Sequence, residues 1–499
     1  MDKREIKGIV KSAVWLAAFL AACAVTRGWA LVPAAFIGLW CAFAQKRMWA
    51  LIAFVLLPIL TCLNPMIVPS GGNGTILQMV ARLTLIAMYV VMAIMEMASN
   101  GNDSKRIPLG GLIPFLGVAF ISSLNGWAPN VSYMKIFNFF VFTIGVWMGT
   151  QGLSKNSKDV VVLRQTFIVI ILMLSFGSIA TIPFPQIAYQ QNILTMMVTA
   201  RMDLSGATAE LKERMADGGL LVFAGIMNNS QCLGPLLACS FNLILCDMLF
   251  VVQKFSKFHL ITMIAIIIPL YLTRSRTALF ALGIGVIIIA WMTTSKVQLS
   301  ARAKKRVKSL VILMLLLGGI AAAASEFSSN TVTKWLRKTN DVEADARDFG
   351  EALTNSREGL NEMNWRDFHM NPILGMGFQT MERHRKMYAG KMFVFSAPIE
   401  KGLLPLMILG ETGVVGAIVF SIFLITFFVG CNKKNLHVTA AMFCVLLASN
   451  IGEATFFSPG GAGGTLWIMG LVGGYVIDMA IRLKRQNGLR IYYGYPDMR

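Results

Sequence analysis

Apolar residues run along this chain in long stretches, separated by short polar connectors. An α-helix needs about 17–25 residues to cross the hydrocarbon core of a bilayer. By that measure there are fourteen runs, at roughly 9–26, 29–45, 48–64, 75–97, 107–124, 133–152, 160–182, 220–252, 258–273, 277–295, 309–325, 402–430, 436–452 and 464–481. Inside lipid every backbone N–H and C=O must find a partner within the protein, which a helix provides by itself. The pattern therefore predicts an all-α, polytopic integral membrane protein with about 12–14 transmembrane helices. The run at 220–252 is long enough to hold a re-entrant start ahead of its span.

The connectors alternate in charge. Lys3, Arg4, Lys7 and Lys11 precede the first run, Lys46 and Arg47 follow the second, and Lys105 and Arg106 follow the fourth. Lys155 and Lys158, Lys254 and Lys257, Arg302 to Lys308, Lys433 and Lys434, and Arg482 to Arg485 continue the series after every second run. Short basic connectors stay in the cytoplasm, so both termini are expected there, as encoded in an inner membrane. The basic N-terminus and the many later runs fit a retained first helix rather than a cleaved signal.

Composition agrees. Of 499 residues, 56% are hydrophobic and only 14% charged, against about 25% charged in soluble domains. The net charge of +20 sits in the connectors, where it encodes orientation, and does not point to nucleic acid. Cys232, Cys239 and Cys246 recur every seven residues on one helix face. Small residues on a packing face account for them better than metal ligation.

Three connectors on the non-cytoplasmic side stand out by being polar: 183–219, the turn Thr273-Arg274-Ser275-Arg276, and the long loop Glu326 to Pro398. The loop holds Trp335, Phe349, Trp365, Phe368 and Phe378, enough for a small core of its own. Within it Glu343–Phe368 reads as helical, and Asn371-Pro372 is expected to end that helix. The chain thus divides into N-terminal helices 1–182, a central region 183–325, the large loop subdomain 326–398, C-terminal helices 399–485 and a cytoplasmic tail 486–499 on the anionic inner leaflet.

Arg274 and Arg276 lie at a lipid boundary where basic residues are sparse. An anion would hold them there, and a phosphate suits the bidentate guanidinium fork. The plainer reading is an interfacial anchor to lipid headgroups. Other arginines on this side, among them Arg201, Arg214, Arg347, Arg357 and Arg366, are interleaved with Glu358, Glu362 and Asp367, as on a solvated helix. Only His369 and His384 of the four histidines fall on this side. No metal-ligand spacing accompanies them, so neither metal nor cofactor is called for.

The order of motifs resembles the O-antigen ligase and polysaccharide polymerase superfamily. Ser275-Arg276-Thr277-Ala278-Leu279 resembles its S-R-x-A-L turn. Ser356-Arg357 and Pro372-Ile373-Leu374-Gly375-Met376-Gly377 resemble its loop motifs, and Leu409-Gly410-Glu411-Thr412-Gly413-Val414-Val415-Gly416 its post-loop helix. Gly225 to Gln231 resembles its Gly-x-x-x-Asn segment, and the similar region runs from about residue 200 to 452. Two family features differ. A His-Asn pair usually stands about nine residues before the post-loop Glu; here Glu400 and Lys401 occupy that stretch. An Arg usually precedes the Gly-x-x-x-Asn segment, and Arg214 is the nearest here.

The resemblance implies a GT-C-like membrane glycosyltransferase taking a glycan from undecaprenyl diphosphate to a sugar hydroxyl, on lipid A core or on another lipid-linked glycan. Arg276, with Arg274, Arg214 and Arg357, would hold the diphosphate. Glu400 would orient or deprotonate the acceptor, with Lys401 beside it and His369 and His384 in reserve for the same role. A transporter or flippase of lipid-linked saccharide is the competing reading, since Arg82, Lys135 and Arg164 lie in or near early spans, as charges on a transport path would.

Overall fold

The structure is a computed structural model that describes residues 3–26, 28–64, 74–98, 106–150, 153, 157–184, 187–188, 223–254, 256–295, 358–380, 402–452 and 454–486. Among these, ten helices precede the long loop. They are α1 (Lys3–Val25), α2 (Leu31–Phe43), α3 (Arg47–Leu60), α4 (Gly74–Ala98), α5 (Leu112–Ser122), α6 (Pro129–Gly149), α7 (Ser157–Ala180), α8 (Ser230–Val252), α9 (Lys257–Leu272) and α10 (Arg276–Ser295). The loop contributes α11 (Glu358–Met370). After it come α12 (Leu404–Lys433), α13 (His437–Ser449) and α14 (Ala462–Gln486). The last turns of α8, Asp247–Val252, and the middle of α14, Ile468–Val472, are π-helical.

The chain is therefore an all-α polytopic membrane protein. Among the described residues the sole extended pairing is one isolated bridge, Leu63 to Met227. Thirteen of the fourteen apolar runs coincide with helices; the run 309–325 lies outside the described residues. Among the described residues six helices are long and apolar enough to cross a bilayer unaided, and seven shorter ones are apolar. The anticipated re-entrant start before α8 is a buried non-helical joint. There Asn64 N–H donates to Ile226 O (2.8 Å), Asn228 N–H to Cys62 O (2.9 Å) and Ala224 N–H to Ala188 O (2.9 Å).

Small residues let the helices approach closely, as association in lipid requires. A Cβ on Gly145 of α6 would lie 2.8 Å from Tyr89 Cβ of α4, and one on Gly38 of α2 would lie 2.8 Å from Ala53 Cβ of α3. Cys232, Cys239 and Cys246 are buried along α8, in keeping with their reading as packing residues.

One end of the bundle is cross-tied by polar side chains. Arg164 on α7 donates from Nε and Nη2 to the two carboxylate oxygens of Asp247 (2.5 and 2.8 Å), and His259 Nε2 lies 2.9 Å from Asp247 Oδ2. Asp478 on α14 caps α13, accepting from Val438 N–H (3.1 Å), Thr439 N–H (2.8 Å) and Thr439 Oγ1 (2.7 Å). Lys434 Nζ donates to Arg106 O (2.9 Å), and burial holds its ammonium below the usual lysine pKa.

Candidate functional site

At the other end, α9 stops at Leu272. Thr273 turns its hydroxyl back to Leu270 O (2.7 Å), competing with onward helix. Arg274 then adopts a left-handed conformation, φ 49°, which costs a non-glycine residue about 1–2 kcal/mol. Its N–H still reaches Tyr271 O (3.2 Å). The chain reverses and Arg276 becomes the first residue of α10. Both arginines are half-buried. A cation at a helix N-terminus opposes the macrodipole by roughly 0.3–1 kcal/mol, so helix stability does not explain Arg276. An anion placed there would meet guanidinium and helix N–H groups together.

Two glycines hold this turn from either side. A Cβ on Gly234 of α8 would fall 2.7 Å from Ser275 Cβ, and one on Gly452 would fall 2.1 Å from Thr277 Cγ2. Gly452 belongs to the turn that ends α13. Asn450 is its hub: Nδ2 donates to Leu446 O (2.8 Å) and Oδ1 accepts from Thr455 N–H (2.7 Å). Two residues past Gly452, Ala454 N–H donates to Gly402 O (3.1 Å). Leu403 N–H in turn donates to Asn361 Oδ1 on α11 (3.2 Å). The arginine turn, the residue after Lys401 and the helix of the long loop are thus tied to one another through a single short turn.

The loop motif and the post-loop motif bind each other through their backbones. Helix α12 is broken at Gly413, at φ 63° and ψ −166°, a region reached essentially by glycine alone. The break frees groups that the chain after α11 takes up. Val414 N–H donates to Pro372 O (2.8 Å) and Val415 N–H to Ile373 O (3.3 Å). In return Met376 N–H donates to Gly410 O (2.9 Å) and Gly377 N–H to Glu411 O (3.1 Å). Ser122 Oγ also donates to Glu411 O, and Glu411 is buried. Gly375, at φ 74°, admits the contact, since a Cβ there would lie 2.3 Å from Glu411 C.

The next residues are pinned to α5 and α6. Phe378 N–H donates to Ser123 Oγ (3.3 Å), Lys135 Nζ to Gln379 O (3.0 Å), and Ser132 Oγ meets Thr380 Oγ1 (3.4 Å). Phe378 enters an aromatic core, 5.1 Å from the Phe457 ring, which stacks on Phe115 at 5.3 Å. Such pairs add about 0.5–1.5 kcal/mol each beyond their area.

Of the residues singled out from sequence, Arg274 and Arg276 share the turn above. His369 is exposed at the end of α11, its Nδ1 2.8 Å from Trp365 O of its own helix. Arg214, Arg357, His384, Glu400 and Lys401 lie outside the described residues, as do the tail beyond Gln486 and the side chain of Arg82. Helix α11 ends at Met370, directly before Asn371-Pro372 as expected. Lys135 and Arg164, the charges that favoured a transporter, are engaged by Gln379 and Asp247. Sequence reading missed Asn361, Asn450 and Gly452; a polar or small residue at a helix end carries no mark of what it will touch.

Comparison with known families matches residues 260–421 to the family described as O-antigen ligase. That segment takes in the arginine turn, the Pro372–Gly377 motif and the Leu409–Gly416 motif. The chain thus resembles the O-antigen ligase and polymerase superfamily, as its motifs imply. No curated protein matches it.

Proposed function

We propose, from the O-antigen ligase match over residues 260–421, that the protein transfers a glycan from undecaprenyl diphosphate to a sugar hydroxyl at the periplasmic face of the inner membrane, both termini being cytoplasmic. The observation that carries the reading is the common support of two segments. Thr277 seats on Gly452, and Gly402 is bound by Ala454. Arg276 stands next to the first, and Glu400-Lys401 just before the second.

In the step proposed, the acceptor oxygen forms a bond to the anomeric carbon while the bond from that carbon to the diphosphate oxygen breaks. The diphosphate leaves with the electron pair, and Arg276, assisted by Arg274, Arg214 and Arg357, stabilises its charge. The hydroxyl proton passes to Glu400, with His369 and His384 as the alternates for that role and Lys401 beside the acceptor. A guanidinium already held in place would stabilise the leaving charge without reorganising, and no divalent metal is required. Transfer by purified protein is expected to persist in excess EDTA.

The experiment that tests the function is the glycan profile of a deletion strain. Absence of all polymer from lipid A core indicates a ligase, and single repeat units on core indicate a polymerase. An unchanged envelope glycan profile would exclude both.

A further inference from the structure

We infer that α11 and the Pro372-Ile373 segment behind it lie in the bilayer interface, with Trp365, Met370 and Ile373 resting among the lipid headgroups and upper acyl chains. This stands independently of the proposed transfer reaction.

The orientation of α11 is fixed by its other face. Asn364 and Asp367 are buried, and Asn361 accepts the N–H of Leu403. That leaves Trp365 50% exposed, Met370 47% and Ile373 65%. Trp365 and His369 pack ring to ring at 4.8 Å, so the patch has a defined shape.

What covers this patch follows from its neighbour. On α12, Val414, Val415, Ile418, Ile422, Ile425 and Val429 are all exposed. Their spacing of three, four and seven residues places them on one stripe of a 30-residue span. An exposed aliphatic stripe on a membrane-crossing helix faces acyl chains. Ile373 sits at its end, since its carbonyl accepts the N–H of Val415 and the Pro372 carbonyl that of Val414. The exposed patch of α11 is therefore the continuation of a lipid-facing surface.

Its chemistry changes in the sense an interface requires. Aliphatic residues give way to an indole, an imidazole and the exposed Glu362 and Arg366. Tryptophan concentrates at the headgroup level because its ring is apolar and its N–H is polar. Arginine there can lay its methylene stem on the acyl boundary and keep its charge in water. A protein partner would need no such gradient.

The test uses the full chain in nanodiscs of phosphatidylethanolamine and phosphatidylglycerol. A spin label is placed at Ile373→Cys, with Met370→Cys as the alternative where 373 labels poorly. Background from native cysteines is measured on the unsubstituted protein. Ile422→Cys on the α12 stripe supplies the lipid reference, and Lys46→Cys in the exposed α2–α3 connector supplies the water reference. The label at 373 is expected to collide with dissolved oxygen in several-fold excess over a water-soluble nickel chelate, at a depth shallower than 422. Nickel accessibility equal to that at 46 would overturn the proposal. So would shielding from both reagents, which would mean that protein covers the patch.

Discussion

A Cβ added to Gly452 would stand 2.1 Å from Cγ2 of Thr277, one residue past Arg276. The turn bearing the candidate donor-binding arginine is therefore seated on a position where no side chain fits. Gly452→Ala must displace Thr277, and displacements of about 1 Å in a positioned site can cost on the order of 10²-fold in rate. Thr277→Ser removes the colliding methyl and keeps the hydroxyl near Ser275. We expect the single variant to lose transfer mainly in kcat, and Gly452→Ala with Thr277→Ser to recover most of it. Steady-state kinetics decide the matter, and a double variant no faster than the single one would contradict this role.

Arg276→Ala is expected to lose about 2–4 kcal/mol of transition-state stabilisation, the range for deleting a preorganised donor. Arg276→Lys keeps the charge but not the fork, and should remain severely impaired. Arg274→Ala should be milder, since a single turn can aim only one of two side chains at alternate positions squarely into the site. Membrane protein levels should be unchanged. Wild-type transfer by Arg276→Ala would leave the turn as a headgroup anchor only.

Gly413→Ala is expected to destabilise the fold itself. Its backbone conformation costs a side-chain-bearing residue about 1–3 kcal/mol, and the new Cβ would stand 2.3 Å from Ile373 O. Gly283→Ala on α10 is the control, because nothing lies within 4 Å of its Cβ position. Thermal unfolding in detergent should show a lowered midpoint for the first and none for the second.

Asp247→Ala takes the carboxylate away from the buried Arg164 guanidinium. Breaking a buried pair from one side costs about 3–5 kcal/mol. Replacing both, as Arg164→Met with Asp247→Leu, should be less harmful than the single change, though it leaves His259 without its partner. Unfolding midpoints of the three proteins test the order, and equal loss in single and double variants would refute it.

Orientation is tested by labelling. A cysteine at position 340 is expected to react with an impermeant reagent from the periplasm and one at 303 is not. The reverse pattern would overturn the proposed topology and move the candidate site to the cytoplasm.

Hydrophobic periodicity determined the helices. Run lengths such as 133–152 and 436–452 appear as α6 and α13 within a few residues, because a span in lipid must satisfy its own backbone and be apolar throughout. The motif Leu409–Gly416 was legible too, but not what its glycines do. Its helix breaks at Gly413 because Pro372 and Ile373, about forty residues earlier in the chain, supply the carbonyls that Val414 and Val415 need. The joining of Thr277, Gly402 and Asn361 through one turn depends on contacts between positions far apart in the chain. Local sequence sets propensity and polarity at each position; which backbone groups meet across such separations is decided only when the helices pack. Tertiary structure alone gave Gly452 and Lys135 their partners, for that reason.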